Sequence, residues 1–389
     1  MRYISLLALY LATLPITAQS SANMLAKAQE CIADVKATFA PDNRQAIFTV
    51  KAYNDGNGTL VVGGEVSDST ALKATVKALD AANIEYTDSM RLLPYDQWAQ
   101  IRLSAASLRG DGRHSAEMVT QAVMGTPVRV MHKNSDWWQV QTPDGYIAWV
   151  PASSVVAKTS AQMEHWRKAR RFIVTSPYQI RVYNSPTAKG LRDVVSDLVN
   201  GCIVTVPGDV PHTSDGRLLV ELPDGRTGYV DADDLTPIET WASQSFDANR
   251  ILDIAYSMEG TPYLWGGTST KALDCSGLAK VSYYANGLIL MRDASQQAKT
   301  GVRIEAANWR SCLPGDLLFF GNARTGKVTH VAIYDNNGNY VHSSGRVKRN
   351  SIDPESDSYL STPFLHAVRI AGSEETPGIT RARNHPWYF

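Results

Sequence analysis

The chain has 389 residues, 44% of them hydrophobic, and its 38 basic side chains balance 38 acidic ones. This length exceeds one small hydrophobic core and predicts two to four domains. Because no long run of one charge sign stands out, the composition removes the usual electrostatic argument for a nucleic acid or an anionic membrane as the partner.

Residues 1–19 have the pattern of a secretory signal peptide. A basic start at Arg2 precedes an apolar run over 4–12, and small residues surround a possible cleavage after Ala18 or Gln19. The run is too short to span a bilayer comfortably. We therefore expect an exported protein, periplasmic or extracellular and soluble after cleavage, with a membrane-anchored form as the alternative.

Residues 22–95 predict a small α+β domain. The pattern indicates a helix over 22–39, strands over 45–53 and 59–66 joined by a turn, a helix over 69–83 and a strand over 84–93. The stretch 60–66 followed by a helix resembles the BON-type modules of bacterial envelope proteins. The sequence predicts no ligand for this domain.

Short strands and turns predict two small β-barrels, at 98–158 and 172–238, with a helical linker over 162–171 between them. Each block carries a Pro-Asp-Gly turn, at 143–145 and 223–225, and a strand that begins with Gly-Tyr. The blocks resemble bacterial SH3-like barrels, which often accompany cell-wall hydrolases. We expect their aromatic residues Trp138, Trp149 and Tyr229 to serve mainly in packing.

The last predicted domain, 243–372, places a cysteine-bearing helix before a group of strands. Helices are predicted over 246–258 and 275–286, and strands over 316–320, 330–334, 340–343 and 366–370. A helix that carries a cysteine, followed by strands that carry histidines, is the plan of papain-like enzymes.

The chain has four cysteines, and Cys275 in the sequence Asp-Cys-Ser-Gly-Leu stands out. No CxxC spacing occurs, which disfavours a zinc ribbon or a redox dithiol. Cys275 lies where a Gly-rich loop turns into a helix, and the N–H groups and positive end of that helix favour its thiolate. Asp274 can cap the helix, but its charge raises the thiol pKa, so a protonated histidine is needed nearby.

His330 and His342 lie on two predicted strands joined by a turn over 335–338. Adjacent antiparallel strands bring two such histidines close together on one face. We assign His330 as general base and later acid, and His342 as the group that orients it. Each residue alone also fits a buried structural thiol or a core histidine, and the spacing is no metal-binding pattern. The three together favour catalysis.

The Cys275 motif and the preceding loop, Pro-Tyr-Leu-Trp-Gly-Gly over 262–267, resemble the NlpC-type peptidases of the bacterial cell wall. The strand histidines and the segment Leu-Pro-Gly-Asp-Leu-Leu-Phe-Phe over 313–320 match as well, and the likeness covers about residues 245–370. It implies a catalytic triad of Cys275, His330 and His342, with no metal or organic cofactor.

The layout with two barrels is similar to the γ-D-glutamyl-L-diamino acid endopeptidases. In that group several residues hold the free amino end of an L-Ala-γ-D-Glu substrate, and the matching positions are Tyr263, Trp265, Asp274 and Asp293. Ser295 is a further candidate, although residues 292–296 read Arg-Asp-Ala-Ser-Gln, with alanine where that group has serine. Tyr146 is the candidate for a barrel tyrosine that closes the site.

The resemblance implies hydrolysis of the bond between γ-D-Glu and diaminopimelate or lysine in murein peptides with a free N-terminal L-Ala. A carboxylate pair, Asp274 and Asp293, would bind the ammonium group and disfavour substrates that lack it. A barrel wall at one end of the groove would exclude stem peptides still linked to glycan, which favours recycling over wall lysis. The alternatives are a papain-like amidase or acyltransferase with the same triad, and a non-catalytic wall-binding protein.

Overall fold

The computed structural model describes residues 16–208 and 216–389, with side chains from residue 22 onward. Most of the predicted signal segment, residues 1–15, lies outside the described residues. The chain divides into two compact units, Met1–Pro94 and Tyr95–Phe389. Within the described part of the chain, no helix is both long and apolar enough to cross a membrane.

The first unit is a small α+β fold with a three-stranded mixed sheet. Its elements in chain order are α1 (Ile16–Phe39), β1 (Lys51–Asn54), β2 (Leu60–Val66), α2 (Ser69–Ala81) and β3 (Thr87–Leu92). β1 and β2 form the predicted antiparallel hairpin, and β3 runs parallel to β2. Asp68 begins α2 by accepting a hydrogen bond from Thr70 N at 2.7 Å. The predicted α-β-β-α-β order is confirmed.

The first strand of this unit, Lys51–Asn54, is shorter than predicted, and a glycine with an unusual backbone angle, Gly64, lies opposite the residues before it. That glycine has φ 139°, and a Cβ there would lie 2.6 Å from the carbonyl oxygen of Thr49. Before β1, Phe48 and Val66 form only an isolated bridge. The likeness to BON-type modules stays a prediction.

The second unit begins with two seven-stranded antiparallel sheets, the first and second barrels. The strands of the first barrel are β4 (Trp98–Ile101), β5 (Ala105–Arg109), β6 (Met118–Val123), β7 (Pro127–Lys133), β8 (Trp137–Gln141), β9 (Ile147–Pro151) and β10 (Val155–Lys158). After α3 (Ser160–Lys168), the strands of the second barrel are β11 (Arg171–Val174), β12 (Ile180–Tyr183), β13 (Val194–Leu198), β14 (Ile203–Thr205), β15 (Arg217–Glu221), β16 (Thr227–Asp231) and β17 (Leu235–Pro237).

The two barrels repeat one topology. If the strands of each are numbered one to seven along the chain, both sheets have the order 7-1-4-5-6-2-3. Each Pro-Asp-Gly turn passes through a glycine in the left-handed region, with φ 83° at Gly145 and 84° at Gly225. The sequence repeat therefore reflects a structural repeat.

The C-terminal part of the second unit packs helices against a six-stranded antiparallel sheet. Its helices are α4 (Ile238–Ala242), α5 (Ala248–Ser257), α6 (Cys275–Tyr284) and α7 (Ala294–Gln297). Its strands are β18 (Thr268–Ser269), β19 (Ala272–Leu273), β20 (Leu288–Leu290), β21 (Val302–Glu305), β22 (Leu317–Asn322), β23 (Lys327–Tyr334), β24 (Asn339–Ser344), β25 (Arg346–Ser351), β26 (Phe364–Arg369) and β27 (Ile379–Arg381). The six-stranded sheet has the order β21-β26-β22-β23-β24-β25.

Helix α6 and the strands that carry the histidines share one core. Leu278 of α6 packs in the same buried cluster as Val331 of β23 and Val341 of β24. The cysteine helix is thereby fixed against the two central strands. The tail beyond the predicted boundary at 372 also belongs to this part, because β27 pairs with β20 and the Tyr284 hydroxyl lies 3.2 Å from that of Tyr388.

Candidate active site

Cys275 is the first residue of α6, and Asp274 caps this helix. The Asp274 Oδ1 atom accepts a hydrogen bond from Gly277 N at 2.7 Å. A Cβ on Gly277 would overlap the carbonyl oxygen of Gly267, so glycine is needed for the helix to approach the Gly-rich loop this closely. The loop and the Asp-Cys-Ser-Gly motif are therefore two halves of one packing arrangement.

The Cys275 thiol is buried, with 9% of the residue exposed. Burial, followed by the Asp274 charge, raises its pKa to about 11, although hydrogen bonds from the Val331 and Ser276 N–H groups and the charge of Arg292 act in the opposite direction. The hydrogen bond from the Val331 N–H places the sulfur against β23, next to the residue that follows His330. The resting thiol is therefore protonated at neutral pH, which differs from the thiolate expected from the helix terminus alone.

The rings of His330 and His342 are hydrogen-bonded to each other. His330 Nε2 lies 2.7 Å from His342 Nδ1, and His342 Nε2 lies 3.0 Å from Asn350 Oδ1 on β25. Burial lowers the pKa of His330 to about 3, with smaller contributions from His342 and Lys348. Burial likewise lowers the pKa of His342 to about 4. Both imidazoles are thus neutral at neutral pH, and the expected protonated partner of the thiol is absent in the resting site.

Arg292 occupies both carboxylate oxygens of Asp274. The guanidinium, 1% exposed, donates from Nη2 to Oδ2 at 2.5 Å and from Nη1 to Oδ1 at 3.2 Å. Gly266 N also donates to Oδ2, at 3.0 Å. Arg292 further donates to Ser276 Oγ at 2.9 Å and to Thr120 Oγ1 at 3.0 Å. Asp274 therefore has its acceptor positions filled by the protein.

The two carboxylates of the expected pair, Asp274 and Asp293, differ in their partners and in their exposure. Arg292 is ion-paired with Asp274 and also lies 4.0 Å from Asp293 Oδ1, so one guanidinium faces both carboxylates. The Asp293 side chain is 28% exposed, against 8% for Asp274. Asp293 also begins α7, where its N–H donates to Gln296 Oε1 at 3.0 Å. Ser295 lies half-buried in the same short helix.

The two expected aromatic residues of the Gly-rich loop differ in their burial. Burial raises the pKa of Tyr263 to about 12, with Cys275 and Asp274 adding to the rise, which places this phenol near the thiol. Trp265 is 61% exposed and lies two residues farther along the same loop.

Tyr146 is a core residue of the first barrel and is 6% exposed. Burial lowers the pKa of Arg292, Asp274 more than offsets this effect, and Asp293 and Tyr146 add smaller contributions that raise it. Tyr146 therefore lies close enough to Arg292 to act on it electrostatically.

The first barrel is hydrogen-bonded to the elements that carry the site. Gln121 Oε1 accepts from Thr268 N at 3.0 Å and from Ser269 Oγ at 2.9 Å. A second link is the ion pair between Asp144 of the barrel and Lys280 of α6, in which the Asp144 side chain is 1% exposed. The barrel is therefore part of the scaffold of the site.

Four residues of this network were not identified from the sequence: Thr120, Gln121, Arg292 and Asn350. Arg292 had a signal, because a buried carboxylate needs a partner and an arginine stands beside Asp293. The other three come from β6 and β25, and only tertiary structure brings them to the site. Across the described residues, no group of three or more His, Cys, Asp or Glu side chains could hold a metal ion.

Comparison with known proteins identifies two regions of the chain. Residues 260–369 match the NlpC/P60 family, and residues 108–155 match the bacterial dipeptidyl-peptidase SH3 domain. A crystal structure of an NlpC/P60 family protein from Bacillus cereus covers 70% of this chain and 99% of its own, with a TM-score of 0.59 and 22% identity. This likeness supports the fold.

Two relatives show how far the similarity extends. The chain is 28% identical over 285 residues to a γ-D-glutamyl-L-lysine dipeptidyl-peptidase of Bacillus cereus, which spans 69% of this chain and 79% of that protein. It is 37% identical over 121 residues to the probable endopeptidase NlpC of Escherichia coli, and the aligned region covers 30% of this chain and 75% of that protein. The chain therefore belongs to the NlpC/P60 family.

Proposed function

We propose that this protein is a cysteine peptidase that hydrolyses the amide bond between γ-D-Glu and the diamino acid of murein peptides. The observation that carries the proposal is a buried thiol at the start of α6, beside the strand of His330, whose ring is held by His342. The Bacillus cereus relative named as a γ-D-glutamyl-L-lysine dipeptidyl-peptidase, matched over 79% of its length, supports this choice of bond.

In the proposed reaction, proton transfer accompanies the attack, because both the thiol and the imidazole are neutral at rest. His330 uses Nε2 for its bond to His342, so Nδ1 takes the proton from Cys275 as the sulfur attacks the carbonyl carbon. The same proton then passes to the leaving amine, and water hydrolyses the thioester. The Cys275 N–H, with the Tyr263 hydroxyl, is our assignment for the oxyanion donors.

We assign the N-terminal ammonium of the substrate to Asp293. Its side chain is 28% exposed and lies 4.0 Å from Arg292, whereas the Asp274 side chain is 8% exposed and accepts from Arg292 at both carboxylate oxygens. Trp265 and Tyr146 would form walls around the L-Ala residue, and Ser295 is the further polar candidate. The hydrogen bonds between the first barrel and β18 support a groove that the barrel closes at one end. Such a groove suits an exported enzyme that cleaves free peptides in cell-wall peptide recycling or turnover.

The test compares L-Ala-γ-D-Glu-diaminopimelate and its lysine counterpart, each with a free and an acetylated N-terminus. We expect cleavage at the γ-bond and a fall in kcat/KM on acetylation of between about 10-fold and 150-fold, the range for one hydrogen bond to a charged group. Asp293→Asn should reduce this difference, whereas Asp253→Asn, at an exposed position of α5, should not.

Two results would count against the proposal separately. Absence of γ-bond cleavage with all four peptides would refute the assigned reaction. Equal rates on free and acetylated peptides would refute the role of Asp293 and leave the bond assignment intact.

A further inference from the structure

Asn350 lies on β25 and contacts the ring nitrogen of His342 that faces away from His330. In the β24–β25 pairing, His342 lies opposite Lys348 and Tyr340 lies opposite Asn350, so all four residues share one face of the sheet. Asn350 Oδ1 lies 3.0 Å from His342 Nε2, and His342 Nδ1 lies 2.7 Å from His330 Nε2. The three side chains form one continuous hydrogen-bonded chain.

The orientation of the Asn350 amide is fixed by its second contact. Its Nδ2 donates to the carbonyl oxygen of Ser358 at 3.0 Å. A carbonyl oxygen only accepts, so the amide nitrogen must face Ser358 and the amide oxygen must face His342. Ser358 O also accepts from Ser351 N at 3.0 Å, which holds this carbonyl in place.

The direction of every proton in the chain follows from this orientation. Asn350 Oδ1 only accepts, so the proton of neutral His342 resides on Nε2 and leaves a lone pair on Nδ1. That lone pair accepts the Nε2–H of His330. Neutral His330 then has its own lone pair on Nδ1, the nitrogen that can take a proton from Cys275.

We propose that Asn350 is a positioning residue that sets the tautomers of both histidines, so that His330 presents an unprotonated Nδ1 to Cys275. The catalytic meaning of this assignment rests on the proposed function, whereas the tautomers themselves do not. A third group that holds an imidazole in its working tautomer is a general requirement of such sites, and loss of that tautomer reduces turnover strongly.

An amide suits this position better than a carboxylate would. Burial and Lys348, which faces His342 across the strand pair, both disfavour a charged imidazole. A carboxylate would stabilise the imidazolium form with a full charge, whereas the uncharged Asn350 oxygen raises the pKa of His342 by less than burial lowers it. Burial therefore keeps the resting pair neutral, and an uncharged acceptor at this position does not reverse its effect.

The experiment uses the full-length protein with ¹⁵N-labelled histidine and reads the ring nitrogens of His342 by NMR in a Cys275→Ala background. Asn350→Leu removes the acceptor, Asn350→Asp keeps an acceptor but loses the donor to Ser358, and Asn336→Leu is the control at an exposed turn. Turnover of the murein tripeptide is measured in the same variants with Cys275 restored.

We expect His342 to carry its proton on Nε2 in the parent, the control and Asn350→Asp, and to lose this preference in Asn350→Leu. We expect Asn350→Leu to lower kcat about 10-fold to 100-fold with little change in KM. A role limited to docking Ser358 would affect the two Asn350 variants equally, and that result would overturn the proposal. An Nδ1–H tautomer in the parent protein would also overturn it, whatever bond the enzyme cleaves.

Discussion

The buried pair of Arg292 and Asp274 supports the strongest prediction from this structure. Replacement of Arg292 by methionine removes the cation and leaves a carboxylate that is only 8% exposed. The change also removes donors to Ser276 Oγ and Thr120 Oγ1. The start of α6, through Asp274 and Ser276, and the first barrel, through Thr120, would lose a shared contact.

The expected magnitude follows from the burial. Breaking a buried ion pair by removal of one partner costs about 3–5 kcal/mol, because the remaining charge is uncompensated. Loss of the two hydroxyl contacts adds about 1 kcal/mol each at most, and part of that overlaps with the same relaxation. We therefore expect Arg292→Met to lower the free energy of unfolding by about 4 kcal/mol. Arg292→Lys keeps the charge but loses the bidentate ion pair, and we expect it to lower the free energy of unfolding by about 1–2 kcal/mol.

The assay is guanidinium unfolding followed by tryptophan fluorescence. All nine tryptophans lie between residues 98 and 387, so the signal reports on the second unit alone. A double-mutant cycle with Asp274→Asn isolates the pair, because the double variant leaves no unpaired charge. We expect the double variant to be at least 1 kcal/mol more stable than the sum of the single effects predicts.

Two results would refute this reasoning. Additivity of the single effects within about 0.5 kcal/mol would show that Arg292 and Asp274 do not interact energetically. A loss below about 1 kcal/mol in Arg292→Met would show that the Asp274 charge is solvated or neutralised by another group.

Three further predictions concern the same scaffold. Lys280→Met leaves the buried Asp144 carboxylate without its cation, so we expect a lower unfolding temperature by calorimetry. Adding Asp144→Asn should partly restore that temperature, and no restoration would argue against a stabilising ion pair. In the folded protein, burial lowers the pKa of His330 to about 3 and that of His342 to about 4, against an ordinary 6.5. The unfolded chain therefore binds protons first, and stability should fall as pH drops from 6.5 towards 4. His342→Gln should flatten this dependence of the unfolding midpoint, and an unchanged slope would contradict the prediction. Gly277→Ala places a Cβ on the Gly267 carbonyl oxygen and should displace α6. We therefore expect loss of peptide turnover and of thermal stability together. A fully active variant would show that the close contact is not required.

Much of the fold was accessible from the sequence because its signals are local. The turn residues and strand alternation predicted the hairpin of the first unit and the two barrels, and the shared strand order accounts for the repeat. The cysteine helix and the paired histidine strands were likewise readable, since register places His330 and His342 on one face. Nothing local in 373–389 shows that β27 pairs with β20, because the partner strand lies about ninety residues earlier in the chain.

The electrostatics of the site were not accessible in this way. The sequence shows Asp274 and Arg292 eighteen residues apart, but only packing shows that the arginine fills both carboxylate oxygens. The balance between the helix terminus and burial at Cys275 also depends on packing, and burial prevails. Asn350 became visible only through its register on β25 and its contact with Ser358.

The central claim is that Cys275 is the nucleophile that cleaves the γ-D-Glu–diamino acid bond. The most direct measurement is the rate of L-Ala-D-Glu release from the murein tripeptide, by mass spectrometry, for the parent, Cys275→Ala and the two matched buried thiols in Cys202→Ala and Cys312→Ala. We predict dipeptide release by the parent and both control variants, and none by Cys275→Ala. Release by Cys275→Ala at the parent rate would contradict the claim.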